Sequence, residues 1–227
     1  MITNFGLRIA DFKKSTGITG RLCASMLLLV LILTGCAGKG PILLDVAYQA
    51  PAMKPAPDVK AAVAVSPFRD DRDKPASVLG KRVISDGQKD EFVVQGTVAE
   101  IATTSLKKAL VARGVTVTDA PAWDLTVDGL KGQGAPVLLG GEIKTLWLDS
   151  QAASYLNLNT HASVVVQLKV VAGDTVEKRI IRTIEVSSKL EQDLFYSKEK
   201  LQAMLSEALS TAIDRIFQDE ELKKLLR

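Results

Sequence analysis

Residues 161–186 read HASVVVQLKVVAGDTVEKRIIRTIEV, and this stretch decides the fold. Val164, Val166, Leu168 and Val170 recur at every second position. Successive side chains of a strand point to opposite faces, so these four share one face. Ala172-Gly173-Asp174-Thr175 is turn chemistry. The return run puts Val176, Ile180, Ile184 and Val186 on one side, with Glu177, Arg179, Thr183 and Glu185 opposite. Two alternating runs joined by a turn make an antiparallel pair with one packed face and one wet face.

The flanks supply what covers the packed face. Downstream, Ser197 caps a helix. Its stripe is Leu201, Met204, Leu205, Ala208, Leu209, Ala212, Ile213, Ile216 and Phe217. A second short helix over 219–226 follows a break near Gln218-Asp219. Upstream, residues 137–148 form another strand. A helix runs from about Val94 to Arg113, with Val98, Ile101, Ala102, Leu106, Ala109 and Leu110 on one face and Gly114 as its stop. Val115-Thr116-Val117 is a short strand, and Leu125, Val127 and Leu130 make either a strand or one helical turn. Ala61 to Val65 is a buried-strand pattern ended by Ser66-Pro67, and a polar loop carrying Gly80 and Gly87 fills 69–90. The expected class is α+β, an antiparallel or mixed sheet with two main helices packed on one face.

The N-terminus reads as an address. Arg8, Lys13, Lys14 and Arg21 stand against a single acid, Asp11, ahead of the 12-residue apolar run Leu22–Leu33. A basic start, a short apolar core and small residues behind it form a secretory signal. Twelve residues fall well short of the roughly 20 that span a bilayer. Leu33-Thr34-Gly35-Cys36 resembles the bacterial lipobox, which implies cleavage before Cys36 and diacylation of its thiol. The alternative is an ordinary signal peptide with a chance cysteine at the cut. Two or three acyl chains, at about 0.8 kcal/mol per buried methylene, would hold the chain essentially permanently. Ala37 in place of aspartate points to the outer membrane, periplasm-facing, with the inner membrane as the alternative.

Domain boundaries follow: signal peptide 1–35, lipidated cysteine and tether 36–59, and one periplasmic domain over 60–227. The tether segment 37–59 holds Pro41, Pro51, Pro55 and Pro57, half of the chain's eight prolines. Its 23 residues reach from roughly 25 Å as a coil to roughly 70 Å extended. Ile42 to Val46 is the exception, a stretch able to add a short strand to the domain.

Composition excludes several functions. Removing residues 1–35 takes four of the 29 Lys and Arg and one of the 26 Asp and Glu, leaving 25 of each. The sequence pI of 8.8 is therefore largely the leader's. A neutral domain without a basic stripe is no nucleic-acid binder. Cys23 leaves with the leader and Cys36 takes the lipid, so no thiol remains for a disulfide or a metal.

Catalytic constellations are missing too. His161, the single histidine, starts a strand, and no serine sits in a Gly-x-Ser-x-Gly elbow. Asp70, Asp71 and Asp73 alternate as calcium loops do, but Arg72 and Lys74 interleave and no glutamate closes a 12-residue loop. Gly129, Gly132, Gly134, Gly140 and Gly141 match no phosphate or dinucleotide motif and read as turns and bulges. Trp123, Trp147, Tyr155 and Phe195 are too dispersed for a ligand cage. No catalytic residue, cofactor or metal site is expected.

Taken together, the signal and lipobox, Val63-Ala64-Val65-Ser66-Pro67 leading into Asp70-x-Arg72, Val78-Leu79-Gly80, Leu110 to Val115, and the closing Asp219-Glu220-Glu221-Leu222 resemble the YajG-type bacterial lipoproteins. The likeness covers most of residues 60–226 and rests on short motifs; that family supplies no assigned catalytic residues. Val63 to Phe68 is also similar to the openings of curli-secretion and penicillin-binding-protein-activator lipoprotein domains, which act by assembly or protein contact. The expected function is a non-enzymatic binding or scaffolding module with an envelope protein as partner. The alternatives are an auxiliary lipoprotein of an envelope lipid-transport system and a subunit of an oligomeric envelope assembly.

Overall fold

A computed structural model describes residues 40–50, 62–84, 87–131, 135–152, 160–174, 178–193 and 197–226. The leader, Cys36, the three later prolines of the tether, Gly132, Gly134, Tyr155, Thr175, Val176, Glu177 and Phe195 lie outside the described residues. From Gly40 onward the chain forms one compact α+β unit.

The alternating run quoted above becomes two 15-residue strands, β8 (Thr160–Asp174) and β9 (Arg179–Asp193), paired antiparallel from Thr160↔Asp193 to Gly173↔Arg179. The strands thus run through Ala172, Gly173 and Asp174, which the sequence assigns to the turn. Gly173 keeps its place because Leu130 fills the space a side chain would need. Beside β8 lies the organising strand of the sheet, β7 (Val137–Ala152), 16 residues long.

One edge of β7 takes β8 along nearly its whole length. Its other edge is shared in parallel by three shorter strands. These are β2 (Val63–Val65) at the upper end, β3 (Arg69–Asp70) in the middle and β4 (Val78–Ile84) at the lower end. β6 (Val117–Asp119) extends the sheet beyond β2, while β5 (Lys89–Val93) and β1 (Ile42–Leu43) extend it beyond β4. The sheet is therefore mixed.

The polar segment 69–90 is not a loop. It contains β3 and most of the antiparallel β4–β5 hairpin, and Val78, Leu79, Gly80 and Ile84 are buried there. Charged residues on the outward positions mask that alternation in sequence. Gly80 is required by a close approach, because a side chain there would collide with the Leu148 backbone. Gly87 supplies a left-handed φ of 82° in the hairpin connection.

α1 (Val98–Ala112) begins four residues later than its periodicity suggests. Val94 is buried at the end of β5, Gly96 turns the chain with a φ of 83°, and Thr97 then caps the helix. The Thr97 hydroxyl accepts from the Glu100 N–H at 3.2 Å, and the Glu100 carboxylate accepts from the Thr97 N–H at 2.8 Å, a complete capping box. α2 (Lys198–Ile216) is capped by Ser197, and α3 (Glu220–Leu226) by Asp219.

α1 and α2 cover one face of the curled sheet. Leu106 and Leu110 from α1, Leu205 and Leu209 from α2, and Leu146, Leu148, Val164, Val166 and Leu168 from the sheet join one core. On the opposite face, the described residues cover only the upper end. Trp123, Leu125 and Leu130, from a segment ending in a single 3₁₀ turn at Asp128–Leu130, pack there on Ala64, Leu138 and Val171.

Residues 40–50 settle the two readings of the tether over that stretch, because they dock. Leu44, Val46 and Tyr48 are buried at every second position. The intervening N–H groups donate to α2: Asp45 to Gln202 at 3.0 Å, Ala47 to Ser206 at 3.3 Å and Gln49 to Ser210 at 2.8 Å. Two extended residues advance about 6.6 Å and four helical residues about 6 Å, so the two repeats stay in step. Beyond them, the Tyr48 hydroxyl donates to Asp214 at 2.8 Å, and Arg113 bridges the same carboxylate to α1. Burial and the Asp214 carboxylate raise the Tyr48 hydroxyl above its ordinary pKa.

Candidate functional site

Below the Trp123 cluster, no described residue covers the wet face of β7, β8 and β9, and a bulge in β7 decides what this open face displays. Ile143 pairs with Leu168 and Thr145 with Gln167, which leaves Lys144 as an extra residue. Above the bulge, the odd-numbered Val137, Leu139 and Ile143 enter the core. Below it the even-numbered Leu146 and Leu148 do. Glu142 and Lys144 share the open face by ordinary alternation, and the bulge brings the odd-numbered Trp147, Asp149 and Gln151 to the same face below it.

Glu142 is 3 % exposed, and three cations surround it. Lys144 lies 2.9 Å and Lys169 3.1 Å from one carboxylate oxygen, and Arg69 pairs with the other. The Lys144 ammonium, working against burial, then Lys169 and Arg69, hold this carboxyl at about 2. Lys144 also reaches Asp71 at 2.5 Å, and these two carboxylates raise its own pKa. A signal for Glu142 is present in sequence, although it is absent from the expected site residues. A lone acid in the run Val137-Leu-Leu-Gly-Gly-Glu142-Ile143 enters a buried strand, where a carboxylate survives only when paired.

Arg72, whose side chain is 3 % exposed, closes the gap between β3 and β4. β3 pairs with β7 only as far as Ile143, and β4 resumes at Leu148, so the carbonyl of Leu146 has no strand partner there. The Arg72 guanidinium donates to it at 3.1 Å and to the Val78 carbonyl at 2.8 Å. Asp70 accepts from the same guanidinium through both oxygens, at 2.8 and 2.9 Å. Burial pushes the Asp70 carboxyl up, but its hydrogen bonds from Arg72 bring it below the ordinary value. Asp70-x-Arg72 is thus a structural staple. Asp70 and Asp71 are each spoken for by a cation, and among the described residues no cluster of His, Cys, Asp and Glu is arranged to hold a metal.

Two shallow clefts mark the open face. The first, about 170 Å³, lies between residues 71–74 and Lys144–Trp147, with the Lys74 ammonium 5.4 Å from the centre of the half-buried Trp147 ring. The second, about 220 Å³, sits at the lower end and is lined by Asp149, Gln151, His161, Ser163 and Lys189. The register aligns Lys81, Asp149, Ser163 and Lys189 in one row across four strands. Lys81 stands 3.8 Å from Asp149, an ion pair too long for a hydrogen bond. His161 is exposed at the start of β8, opposite Gln151, and no hydrogen bond joins it to Ser163 or Asp149 among the described residues. Trp123, by contrast, is buried in the upper cluster, its indole N–H donating to Thr126 at 2.9 Å. Trp123 and Trp147 therefore belong to different environments.

These features define an α+β sheet-and-helix domain with one helix-covered face and one open, polar, tryptophan-bearing face. No protein-family model and no curated protein matches the chain. Among solved structures it is similar to a DUF330 protein from Xanthomonas campestris, with 12 % identity and a TM-score of 0.48 over 77 % of this chain and 90 % of that one. It is also similar to a hypothetical protein from Chlamydia trachomatis, with 13 % identity and a TM-score of 0.43 over 74 % and 98 % of the two chains. A PelC dodecamer subunit from Paraburkholderia phytofirmans shows 14 % identity and a TM-score of 0.32 over 71 % and 91 %.

Proposed function

We propose that this chain is a lipid-anchored, periplasm-facing envelope lipoprotein of the YajG type. In this reading it binds a protein partner through the open face of β7–β9 without catalysing a reaction. The observation that carries the reading is Trp147. A half-buried indole on an otherwise wet sheet face, flanked by Lys74 and a cleft, is the amphipathic anchor that protein interfaces favour. The lipobox residues Leu33 to Cys36 support the anchor, and Ala37 supports outer-membrane placement. The pairing of Asp70 and Asp71 with cations and the unlinked His161, Ser163 and Asp149 support a binding role over hydrolysis.

A photo-crosslinking amino acid at Val165, the cross-strand neighbour of Trp147, tests the reading in cells, with Lys108 on the exposed side of α1 as the control position. One dominant envelope protein captured at Val165, absent at Lys108 and lost in Trp147→Ala, is the expected result. Equal capture at both positions overturns it. Mass spectrometry of Cys36 in the same membranes checks the anchor, and an unmodified thiol removes that part of the reading. The lipid-transport alternative calls for an apolar cleft between the sheet and the Leu201–Phe217 stripe. Leu201, Leu205, Leu209, Ile213 and Ile216 are instead buried in the core, so no observation favours it.

A further inference from the structure

The docked segment at 42–49 has a consequence for how the domain stands on its membrane, given the Cys36 anchor proposed above. Ile42 pairs with Phe92, which is level with Gly80 and Leu148 through β4 and β7. From there the chain runs upward along α2, because Asp45, Ala47 and Gln49 meet Gln202, Ser206 and Ser210 in that order. Traced the other way, it leaves the domain at the lower end. β4 stops there at Ile84, β7 at Ala152 and β9 at Asp193, and β8 and α2 begin there at Thr160 and Lys198.

Chain length then sets the distance. Six residues separate Cys36 from Ile42, and fully extended they span at most about 22 Å. The proline-rich run at 51–57 lies behind the docked strap, so it adds nothing to that leash. A tether of 23 free residues would allow roughly 70 Å and any orientation. A leash of about 22 Å is shorter than the sheet itself, since 15 strand residues extend about 50 Å. The domain cannot invert on such a leash and keep its strap docked.

We propose that the strap makes the lower end of the domain the membrane-facing end, resting on the lipid headgroups. The described residues of that end suit a headgroup layer. Lys89, Gln151, His161 and Lys189 are exposed there, and Lys81, Asp149 and Lys189 spread mixed charge across the row beside them. The His161 cleft then lies near the bilayer. The Glu142 cluster stands about 30 Å farther out, nine strand residues up β7 from Gln151.

The mature, lipidated full chain in phospholipid vesicles tests this directly. Lipidation occupies Cys36, so a single added cysteine can be labelled uniquely. A fluorophore at Lys89→Cys marks the lower end, and one at Asp128→Cys marks the opposite end. Energy transfer to an acceptor on the lipid headgroups is expected to be several-fold greater from position 89. Inserting about twenty Gly and Ser residues between Gly38 and Lys39 lengthens the leash without touching the fold, and is expected to bring the two signals together. Equal transfer from both positions in the natural chain, or a difference unchanged by the insertion, overturns the proposal. Failure of the chain to float with the vesicles instead refutes lipidation of Cys36, on which the proposal rests.

Discussion

Replacing Glu142 with glutamine keeps the shape of the side chain and removes its charge. In the native chain the carboxyl is held at about 2 against an ordinary 4.5, so folding weakens its hold on a proton about 300-fold, worth about 3 kcal/mol. Arg69 is 58 % exposed, and Lys144 and Lys169 about a third, so solvent screening brings the expected loss for Glu142→Gln to about 2 kcal/mol at neutral pH. For a domain of this size that lowers the melting temperature by about 4–8 °C. A carboxyl depressed on folding contributes stability that is fully present above its ordinary pKa and lost as pH falls towards the folded value. The gap between native chain and variant should therefore be constant above pH 5 and close between about 4.5 and 2. Urea denaturation of both proteins across that range measures it. A variant within 0.5 kcal/mol of the native chain at pH 7, a level ordinary for a surface change, would refute the reasoning. So would a gap as large at pH 2.5 as at pH 7.

Four further outcomes follow from the geometry. Arg72→Lys keeps the charge but not the fork that serves Asp70, Val78 and Leu146 together, and should cost about 3 kcal/mol by denaturant titration. Ser210→Ala removes the hydroxyl that accepts from Gln49, costing about 1 kcal/mol, with hydrogen exchange speeding up along 44–49 while β8 amides stay protected. Thr97→Ala breaks the capping box of α1 and should lower stability by about 1 kcal/mol, read by thermal unfolding, whereas His161→Ala at an exposed strand start should stay within about 0.5 kcal/mol.

Periodicity carried the long elements of this protein into plain view. β8, β9, α1 and α2 each bury one face along a repeat of 2 or 3.6, and such a repeat survives in the order of residues alone. The α+β class follows from them, and so does the Ser197 cap. The β4–β5 hairpin was illegible because its outward residues are charged and its strands short. The strap at 42–49 was legible only as an alternative, because its hydrogen bonds reach 157 to 161 residues along the chain. The bulge at Lys144 is written nowhere in the local pattern. It depends on β8 pairing with β7 on both sides of an unpaired residue, and it brings Trp147 to the face that Glu142 and Lys144 already share. Sequence by itself thus determined which of the long segments bury a face, since burial of an element's own stripe is a local property. Only the tertiary structure decided which charges meet, because ion pairs such as those of Glu142 with Arg69 and Lys169 join separate strands through the register of the sheet.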